Sequence, residues 1–297
     1  MNRRAFLSSS AVLCSGSILS NALPIHAETS AGGWRTFEVV TNVELNAPKG
    51  PTRIWLPTAL RANTPYQRTL SNHFSAKGAT VKLIRDDQNT LGIVSATFPP
   101  NTRPKLTLTS RVSLRNYSVD LSSRQMGRRA SIAEQNYFLQ PSRYVPIDGI
   151  VKDTALKATA GATTDTEKAR AIYEWVVKNT FRDPKIRGCG KGDIRFMLES
   201  GDMGGKCADL NALYVGLARS VGLPARHVYG LRIAKSDLGY KSLGVATEKA
   251  TKGQHCRVEV YLREHGWVPV DPADVRKVVL EEPPGNPFER RTRCARA

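Results

Sequence analysis

The sequence predicts an α+β protein in which a β-sandwich-like N-terminal domain precedes helices packed on an antiparallel sheet. Three observations predict this class. Short apolar strands separated by turn residues fill residues 34–115. Apolar side chains recur at helical spacing between residues 207 and 221, which indicates an amphipathic helix. Apolar and polar residues alternate over residues 254–262, and a second strand follows a turn, so this part is predicted to form a hairpin.

Residues 1–27 have the pattern of a cleaved export signal. A positive start at Arg3 and Arg4 precedes an uncharged, mostly apolar or small stretch that runs to Pro24, and Ala27 offers a small residue before the cut. Arg3 to Leu7 resembles the twin-arginine motif, which exports folded proteins. A membrane anchor is the alternative, but the region is short and serine-rich. We expect a periplasmic or secreted protein whose mature form has no transmembrane span.

The chain is strongly basic, with 44 Lys and Arg against 26 Asp and Glu and a formal charge of +18. Such a charge favours polyanionic neighbours, among them acidic polymers of the cell envelope. Nucleic acid is not an expected partner, because no helix-turn-helix, zinc-finger or RNA-binding signature accompanies the charge.

The remaining chain divides into four parts. Residues 28–115 form the predicted β-rich domain, which contains no cluster of chemically active residues. Residues 116–150 are basic and irregular, and are predicted to be a linker lying across the following domain. Residues 151–285 form the predicted second domain, and residues 286–297 an irregular tail that leaves open whether the C-terminus is truncated.

The second domain opens with helices. Thr164 and Asp165 are suited to cap a helix that runs to Asn179, and a shorter helix is predicted after Asp193. The glycine-rich loop 188–192 lies between them. It lacks the spacing of a phosphate-binding loop, so we do not predict a nucleotide site there.

Cys207 lies at or just before the first turn of the strongest predicted helix. Unpaired amides and the positive end of a helix favour a thiolate there, and neighbouring Lys206 adds positive charge. The same amides could hold an oxyanion, and Gly204 and Gly205 are expected to let the chain turn tightly. The alternative is a buried structural cysteine or a disulfide partner.

The hairpin brings a histidine and a carboxylate toward this cysteine. His255 begins its first strand and Asp271 ends its second, so antiparallel pairing is expected to place both at one edge. A two-residue turn at Glu264 and His265 would set Asp274 opposite His255, which makes Asp274 the second candidate for the acid. His265, in that turn, is expected to be solvated.

These segments together resemble the transglutaminase-like superfamily. The resemblance is carried by a Gly-x-Cys before the helix, by residues 222–230 (Gly-Leu-Pro-Ala-Arg-x-Val-x-Gly), by a strand opening with His255, and by Trp267 followed by Asp271-Pro272. It covers about residues 150–275 and implies a papain-like transglutaminase core. It further implies Cys207 as nucleophile, His255 as general base and acid, and Asp271 as the residue that orients the histidine.

The resemblance also implies a reaction. We expect cysteine-dependent acyl transfer or hydrolysis at amide bonds of a protein or peptide substrate, through a thioester and without a cofactor or metal. One alternative is a cysteine peptidase or amidase of the cell envelope, which differs only in the acceptor. The other is a non-catalytic module that binds acidic polymers.

The other cysteines and aromatic residues receive weaker predictions. No Cys-x-x-Cys spacing occurs, which argues against a zinc or thioredoxin-like site. Cys256 should point to the face of its strand opposite His255, and we expect it to pair with Cys189, leaving Cys294 as an odd thiol. Tyr229 and Trp267 are predicted in the core, and the long loop 235–253 is a candidate lid.

Overall fold

A computed structural model describes residues 33–46, 48–122, 127–236, 239–245 and 247–283. The chain forms two compact units, Met1–Tyr117 and Ser118–Ala297. The predicted export signal and the C-terminal tail, with Cys294, lie outside the described residues. Within these residues no helix has the length and hydropathy required to cross a membrane.

The first unit consists of two three-stranded antiparallel sheets. One sheet has the order β1 (Arg35–Glu44), β6 (Lys105–Leu114), β3 (Gln67–Ser75). The other has the order β2 (Thr52–Pro57), β5 (Leu91–Phe98), β4 (Thr80–Asp86). Buried residues of β2, β5 and β6 share one apolar core, among them Ile54, Phe98 and Leu106. The unit is therefore β-sandwich-like, as predicted.

The sequence did not reveal β3. This strand is mostly polar and none of its residues is buried, so it carries no apolar alternation. Its backbone pairs with β6, with an irregularity between Thr69 and Ser71. Strand β3 is therefore defined by its backbone pairing at the edge of the sheet, and the pattern of its side chains does not predict it.

The second unit combines helices with a three-stranded antiparallel sheet of order β11-β10-β9 and a short parallel pair, β7-β8. Its elements, in chain order, are α1 (Ile132–Tyr137), α2 (Gly149–Ala158), α3 (Asp165–Asn179), β7 (Phe181–Arg182), α4 (Ile194–Ser200), β8 (Gly204–Gly205), α5 (Cys207–Ser220), β9 (Ala225–Leu231), β10 (Gln254–Leu262), β11 (Gly266–Val270) and α6 (Pro272–Glu281). Two 3₁₀ turns, Lys241–Leu243 and Ala250–Lys252, lie in the connection between β9 and β10.

Helix α5 is the centre of this unit. Its residues Leu213, Tyr214 and Leu217 are fully buried and belong to one apolar cluster with residues of α2, α3, α4, β9, β10 and β11. On the sheet, β10 contributes Val258 and Val260 to the same cluster. Burying this surface fixes the start of α5 against the start of β10, which is where the candidate site forms.

The predicted helices after residue 150 are present with the predicted caps. Thr164 caps α3, where its hydroxyl accepts the Glu167 amide and the Glu167 carboxylate accepts the Thr164 amide. Asp193 caps α4. Gly222 follows the end of α5 with φ of +85°, a conformation that glycine adopts without strain.

The segment predicted as a linker belongs to the second unit from Ser118 onward. Residues 118–150 include α1 and the start of α2, neither of which we predicted. Glu134 of α1 accepts hydrogen bonds from the Trp267 indole at 3.0 Å and from Arg128 at 2.8 Å, and Phe138 stacks edge-on against Trp267. The segment lies across the sheet as expected, but its conformation is more helical than its prolines suggested.

Candidate active site

Cys207 is the first residue of α5 and is 8% exposed. The chain reaches it through β8, which runs parallel to β7. A Cβ on Gly205 would lie 2.5 Å from the Asp209 Cβ, and neither Gly204 nor Gly205 has a positive φ. Gly205 is therefore required for close packing against α5, and Gly204 for close packing against the Phe181 ring, rather than for the tight turn that we expected.

Asp209 attaches the glycine-rich loop to the start of α5. Its Oδ2 accepts the Lys206 amide at 2.9 Å, which caps the helix, and its Oδ1 accepts the amides of Lys191 and Gly192 at 2.8 and 2.7 Å. The Ala208 amide donates to the Cys189 carbonyl at 2.8 Å. The Ala208 amide is thus already bound and cannot hold an oxyanion, whereas the Cys207 amide has no intrahelical acceptor at its position.

The β10–β11 hairpin turns over three residues, one more than the turn we considered. Leu262 pairs with Gly266 and Val258 with Val270, so an extended β11 would bring Ala273 opposite His255. Instead β11 ends at Val270, and Asp271 becomes the N-cap of α6, where its carboxylate accepts the Asp274 amide at 3.1 Å. This departure from the sheet turns the Asp271 side chain toward His255.

Of the three turn residues, Arg263 and Glu264 are exposed, but His265 is buried, contrary to our expectation. That residue is 3% exposed. Gly127 packs so closely that a Cβ there would lie 2.4 Å from the His265 carbonyl oxygen. The segment preceding α1 therefore covers the turn, an arrangement between distant residues that the polar sequence of the turn did not indicate.

His255 interacts with both carboxylates, although unequally. Its Nε2 hydrogen-bonds Asp271 Oδ2 at 2.6 Å and lies 3.5 Å from Asp274 Oδ1. The Asp274 carboxylate also forms an ion pair with Arg232. Burial and the negative charge of Asp271 raise the pKa of Asp274. Asp271 is the stronger partner of the histidine, with Asp274 next to it.

The Cys207 thiol and the His255 ring lie close enough to affect each other's ionisation. Because Asp271 binds Nε2, Nδ1 is the ring nitrogen that remains for the sulfur. Hydrogen bonds from the Cys256 thiol and then from His255 lower the pKa of Cys207 to about 3, against the opposing effect of burial. Burial lowers the pKa of His255, but its hydrogen bonds with Asp271 and Cys207 outweigh burial and raise that pKa to about 9. These shifts favour a thiolate for Cys207 and an imidazolium for His255.

Cys189, Cys207 and Cys256 are all free thiols, so the predicted Cys189–Cys256 disulfide is absent. Both Cys189 and Cys256 pack against Cys207. Burial and the neighbouring Cys207 charge raise the pKa of Cys189 to about 11, and the hydrogen bond to Cys207 followed by burial raises the pKa of Cys256. Cys256 was expected to point away from the site, yet it is 1% exposed and packs in one cluster with Cys207. Two protonated thiols therefore surround one thiolate.

Asn211 is a site residue that the sequence analysis missed. It is fully buried one turn after Cys207 on α5. Its Nδ2 donates to the Cys256 carbonyl at 2.7 Å and to Asp271 Oδ1 at 3.3 Å. Asn211 therefore links α5, β10 and the start of α6. A polar residue between Leu210 and Ala212 on a buried helix was the available signal, because a buried amide needs partners.

His227 and Tyr229 of nearby β9 differ in exposure. His227 is partly buried, and burial followed by the charge of Arg219 lowers its pKa to about 4. Tyr229 is 68% exposed, so its placement in the core was wrong. Trp267 is half-buried against Phe138, Tyr261 and Arg226.

A cavity of about 420 Å³ opens beside Cys207 and His255. Its walls come from the glycine-rich loop, the starts of α5 and β10, α6, and the connection between β9 and β10. That connection, our candidate lid, contributes Gly244, Thr251, Lys252 and Gly253.

Within the described residues, His255, Asp271 and Asp274 form one group with ligand atoms within 4.8 Å of one another, as a metal site would require. These two carboxylates already have positively charged partners, however. Arg232 pairs with Asp274, and the His255 ring pairs with Asp271. The arrangement suits a protonated imidazole.

The model of the family described as "Transglutaminase-like superfamily" matches residues 152–272, which include Cys207, His255 and Asp271. The chain belongs to the transglutaminase-like superfamily. An uncharacterized protein of Haemophilus influenzae is 32% identical over 279 residues, covering 86% of this chain and 75% of that protein. The uncharacterized Bacillus subtilis protein YebA is 28% identical over 127 residues, covering 41% of this chain and 17% of that protein.

A solved structure supports the fold of this transglutaminase-like chain. It is the crystal structure of a candidate cysteine protease from Cytophaga hutchinsonii, which aligns with a TM-score of 0.58 at 18% identity. The alignment covers 82% of this chain and 78% of that protein. At this identity the likeness extends to the fold, including the sheet-rich N-terminal part.

Proposed function

We propose that this protein is a cysteine enzyme that transfers or hydrolyses acyl groups of amides, with Cys207 as nucleophile, His255 as acid and base, and Asp271 as the orienting residue. The observation that carries the proposal is the chain of contacts at the start of α5. The Cys207 thiol adjoins the His255 ring, and His255 Nε2 lies 2.6 Å from Asp271 Oδ2. A nucleophile, a base and an orienting group in contact are the parts that covalent acyl transfer requires.

The first half of the reaction follows from the ion pair. The Cys207 thiolate attacks the amide carbonyl carbon and forms a carbon–sulfur bond, while the carbonyl oxygen takes the negative charge. The Cys207 amide is the available donor for that oxygen. As the carbon–nitrogen bond breaks, the imidazolium donates its proton to the nitrogen. Ammonia leaves from a glutamine side chain, or an amine from a peptide bond, and a thioester remains.

The second half regenerates the thiolate. Neutral His255 takes a proton from an incoming amine or water, which attacks the thioester carbonyl. An amine forms a new amide, and water forms a carboxylic acid. A cysteine peptidase or amidase, the alternative interpretation, uses water as the acceptor. It therefore uses the same residues as a transferase and differs from it only in the acceptor.

Mass spectrometry of the thioester tests the proposal. The mature protein is mixed with peptides that contain glutamine, quenched in acid at short times, and examined for an acylated Cys207 together with released ammonia. Added primary amine should be incorporated if the enzyme is a transferase. Cys207→Ala should form no adduct. If no amide substrate acylates Cys207 while Cys207→Ala retains binding of an acidic polymer, the non-catalytic binding module is the better account.

We propose in addition that residues 1–27 direct export by the twin-arginine route. The support is the Arg3-Arg4 pair and the uncharged stretch that follows. Fusion of these residues to a folded reporter should deliver it to the periplasm. Replacing both arginines with lysine should retain the reporter in the cytoplasm, whereas unchanged export would contradict the twin-arginine assignment.

A further inference from the structure

The cavity beside Cys207 is lined by more positive than negative side chains. Among the described residues that line it, Asp274 contributes the only carboxylate. The positive lining groups come from four different parts of the unit: Arg182, Lys206, Arg232, Lys252 and Lys277. Because they come from separate elements, their convergence reflects the fold rather than a basic run in the sequence.

Nearby carboxylates neutralise only part of this charge. Arg232 pairs with Asp274, and Arg182 lies 2.8 Å from Glu281, a residue that Lys277 also approaches at 3.8 Å. In the described part of the chain, Lys206 and Lys252 have no carboxylate within ion-pair distance. A net positive charge therefore remains at the cavity.

The positive groups are also close enough to influence one another. Burial first, and then the charges of Arg232 and Arg182 against the opposing charge of Glu281, lower the pKa of Lys277. An anion in the cavity would relieve this repulsion and add attractive interactions with the unpaired lysines. The lining is thus suited to a negatively charged ligand.

The positive wall adjoins the reacting groups. Asp274, the partner of Arg232, has its Oδ1 3.5 Å from His255 Nε2. Lys206 immediately precedes Cys207. A carboxylate bound here would therefore lie next to the amide under attack, within a residue or two along a peptide.

We propose that the substrate of this site is an acidic peptide, in which a carboxylate within a residue or two of the reacting amide binds the cavity lysines and arginines. The inference rests on the proposed function for its substrate role. The positive charge of the cavity does not depend on catalysis, so it can be tested with a reagent that requires no catalytic turnover.

Two alkylating agents of nearly equal size provide that probe. Iodoacetate is an anion and iodoacetamide is neutral, and both alkylate the Cys207 sulfur with loss of iodide. The two alkylation rates at Cys207 are measured by peptide mapping at pH 7. The ratio of the iodoacetate rate to the iodoacetamide rate is then compared with the same ratio for a small neutral thiol. We expect iodoacetate to be favoured at Cys207 about tenfold relative to that reference at low salt, and less at 0.5 M salt.

Variants connect the effect with individual side chains. Lys252→Gln and Lys206→Gln should each lower the iodoacetate preference two- to fivefold, and the double variant further. Lys249→Gln is the matched control, because Lys249 is exposed on the same connection and does not line the cavity; it should leave the preference unchanged. A preference equal to that of the reference thiol, or insensitive to Lys252 and Lys206, would overturn the proposal.

Peptide substrates test the remaining step. Glutamine peptides carrying Asp at the flanking positions should be acylated at least about tenfold faster, in kcat/KM, than peptides with Asn there, and Lys252→Gln should reduce this ratio. Equal rates would overturn the substrate assignment while leaving the proposed chemistry intact. Fast alkylation by iodoacetamide without acylation by either peptide would count against the proposed function instead, so the two failures are distinguishable.

Discussion

His255 Nε2 lies 2.6 Å from Asp271 Oδ2, although the two residues are not cross-strand partners in the β10–β11 register. The contact forms because β11 stops at Val270 and the next residue begins helix α6. As the N-cap, Asp271 is held by the Asp274 amide and by the Asn211 side chain. The Asp271 carboxylate therefore both caps helix α6 and fixes the position of the His255 imidazole.

Substitution of the two acids should separate their roles. Asp271→Asn is expected to lower kcat by about 10²- to 10⁴-fold, because the histidine loses the carboxylate that orients it and stabilises its charge. Asp274→Asn should cost less than about tenfold, because Asp274 is farther from Nε2 and pairs with Arg232. Steady-state kinetics on an amide substrate measures both variants. A larger loss in Asp274→Asn would make Asp274 the orienting acid.

Asn211 should contribute to stability and to the position of Asp271. Asn211→Ala leaves the buried Cys256 carbonyl without its donor, so we expect a loss of about 1–3 kcal/mol in the free energy of unfolding. Urea denaturation measures this loss. Asn179→Ala is a control, since Asn179 also donates to a backbone carbonyl but is exposed. Equal small losses in both variants would contradict the linking role of Asn211.

The three thiols of the site should differ in reactivity. At pH 7 Cys207 is expected to be alkylated at least about 10²-fold faster than Cys189, because burial and the Cys207 charge raise the pKa of Cys189 to about 11. Peptide mapping after limited iodoacetamide treatment measures the ratio in a Cys294→Ser background, which removes the remaining mature thiol. Comparable labelling of Cys189 and Cys207 would show that the thiolate is not confined to Cys207.

The sequence predicted much of this site because its signals are local. A glycine-preceded cysteine at the head of an amphipathic helix and a histidine that opens an alternating strand each follow from a few neighbouring residues. The central position of α5 and the strand bounds 254–262 follow from the same patterns. The triad of Cys207, His255 and Asp271 remains a proposal for function, although the structure brings the three side chains together.

Other features depend on contacts between distant residues. Helix α1 and the burial of His265 arise from packing of residues 127–138 against the sheet, which no local pattern encodes. Asn211 reaches Asp271 only after α5, β10 and α6 have assembled. The positive cavity likewise combines residues separated by up to 95 positions, from Arg182 to Lys277. Sequence periodicity predicts individual helices and strands, whereas these features depend on how the helices and strands pack together.

The pH profile of Cys207 alkylation by iodoacetamide tests the central claim most directly. The pKa of Cys207 is lowered to about 3 and that of His255 is raised to about 9, so the thiolate–imidazolium pair should persist between these values. We predict fast labelling throughout this interval, with the rate falling only as the thiolate is protonated near the lower limit. His255→Ala should move the profile toward that of an ordinary thiol, with a pKa of ~8.5. Labelling of the unmodified protein that rises only near pH 8.5, with no response to His255→Ala, would contradict the account.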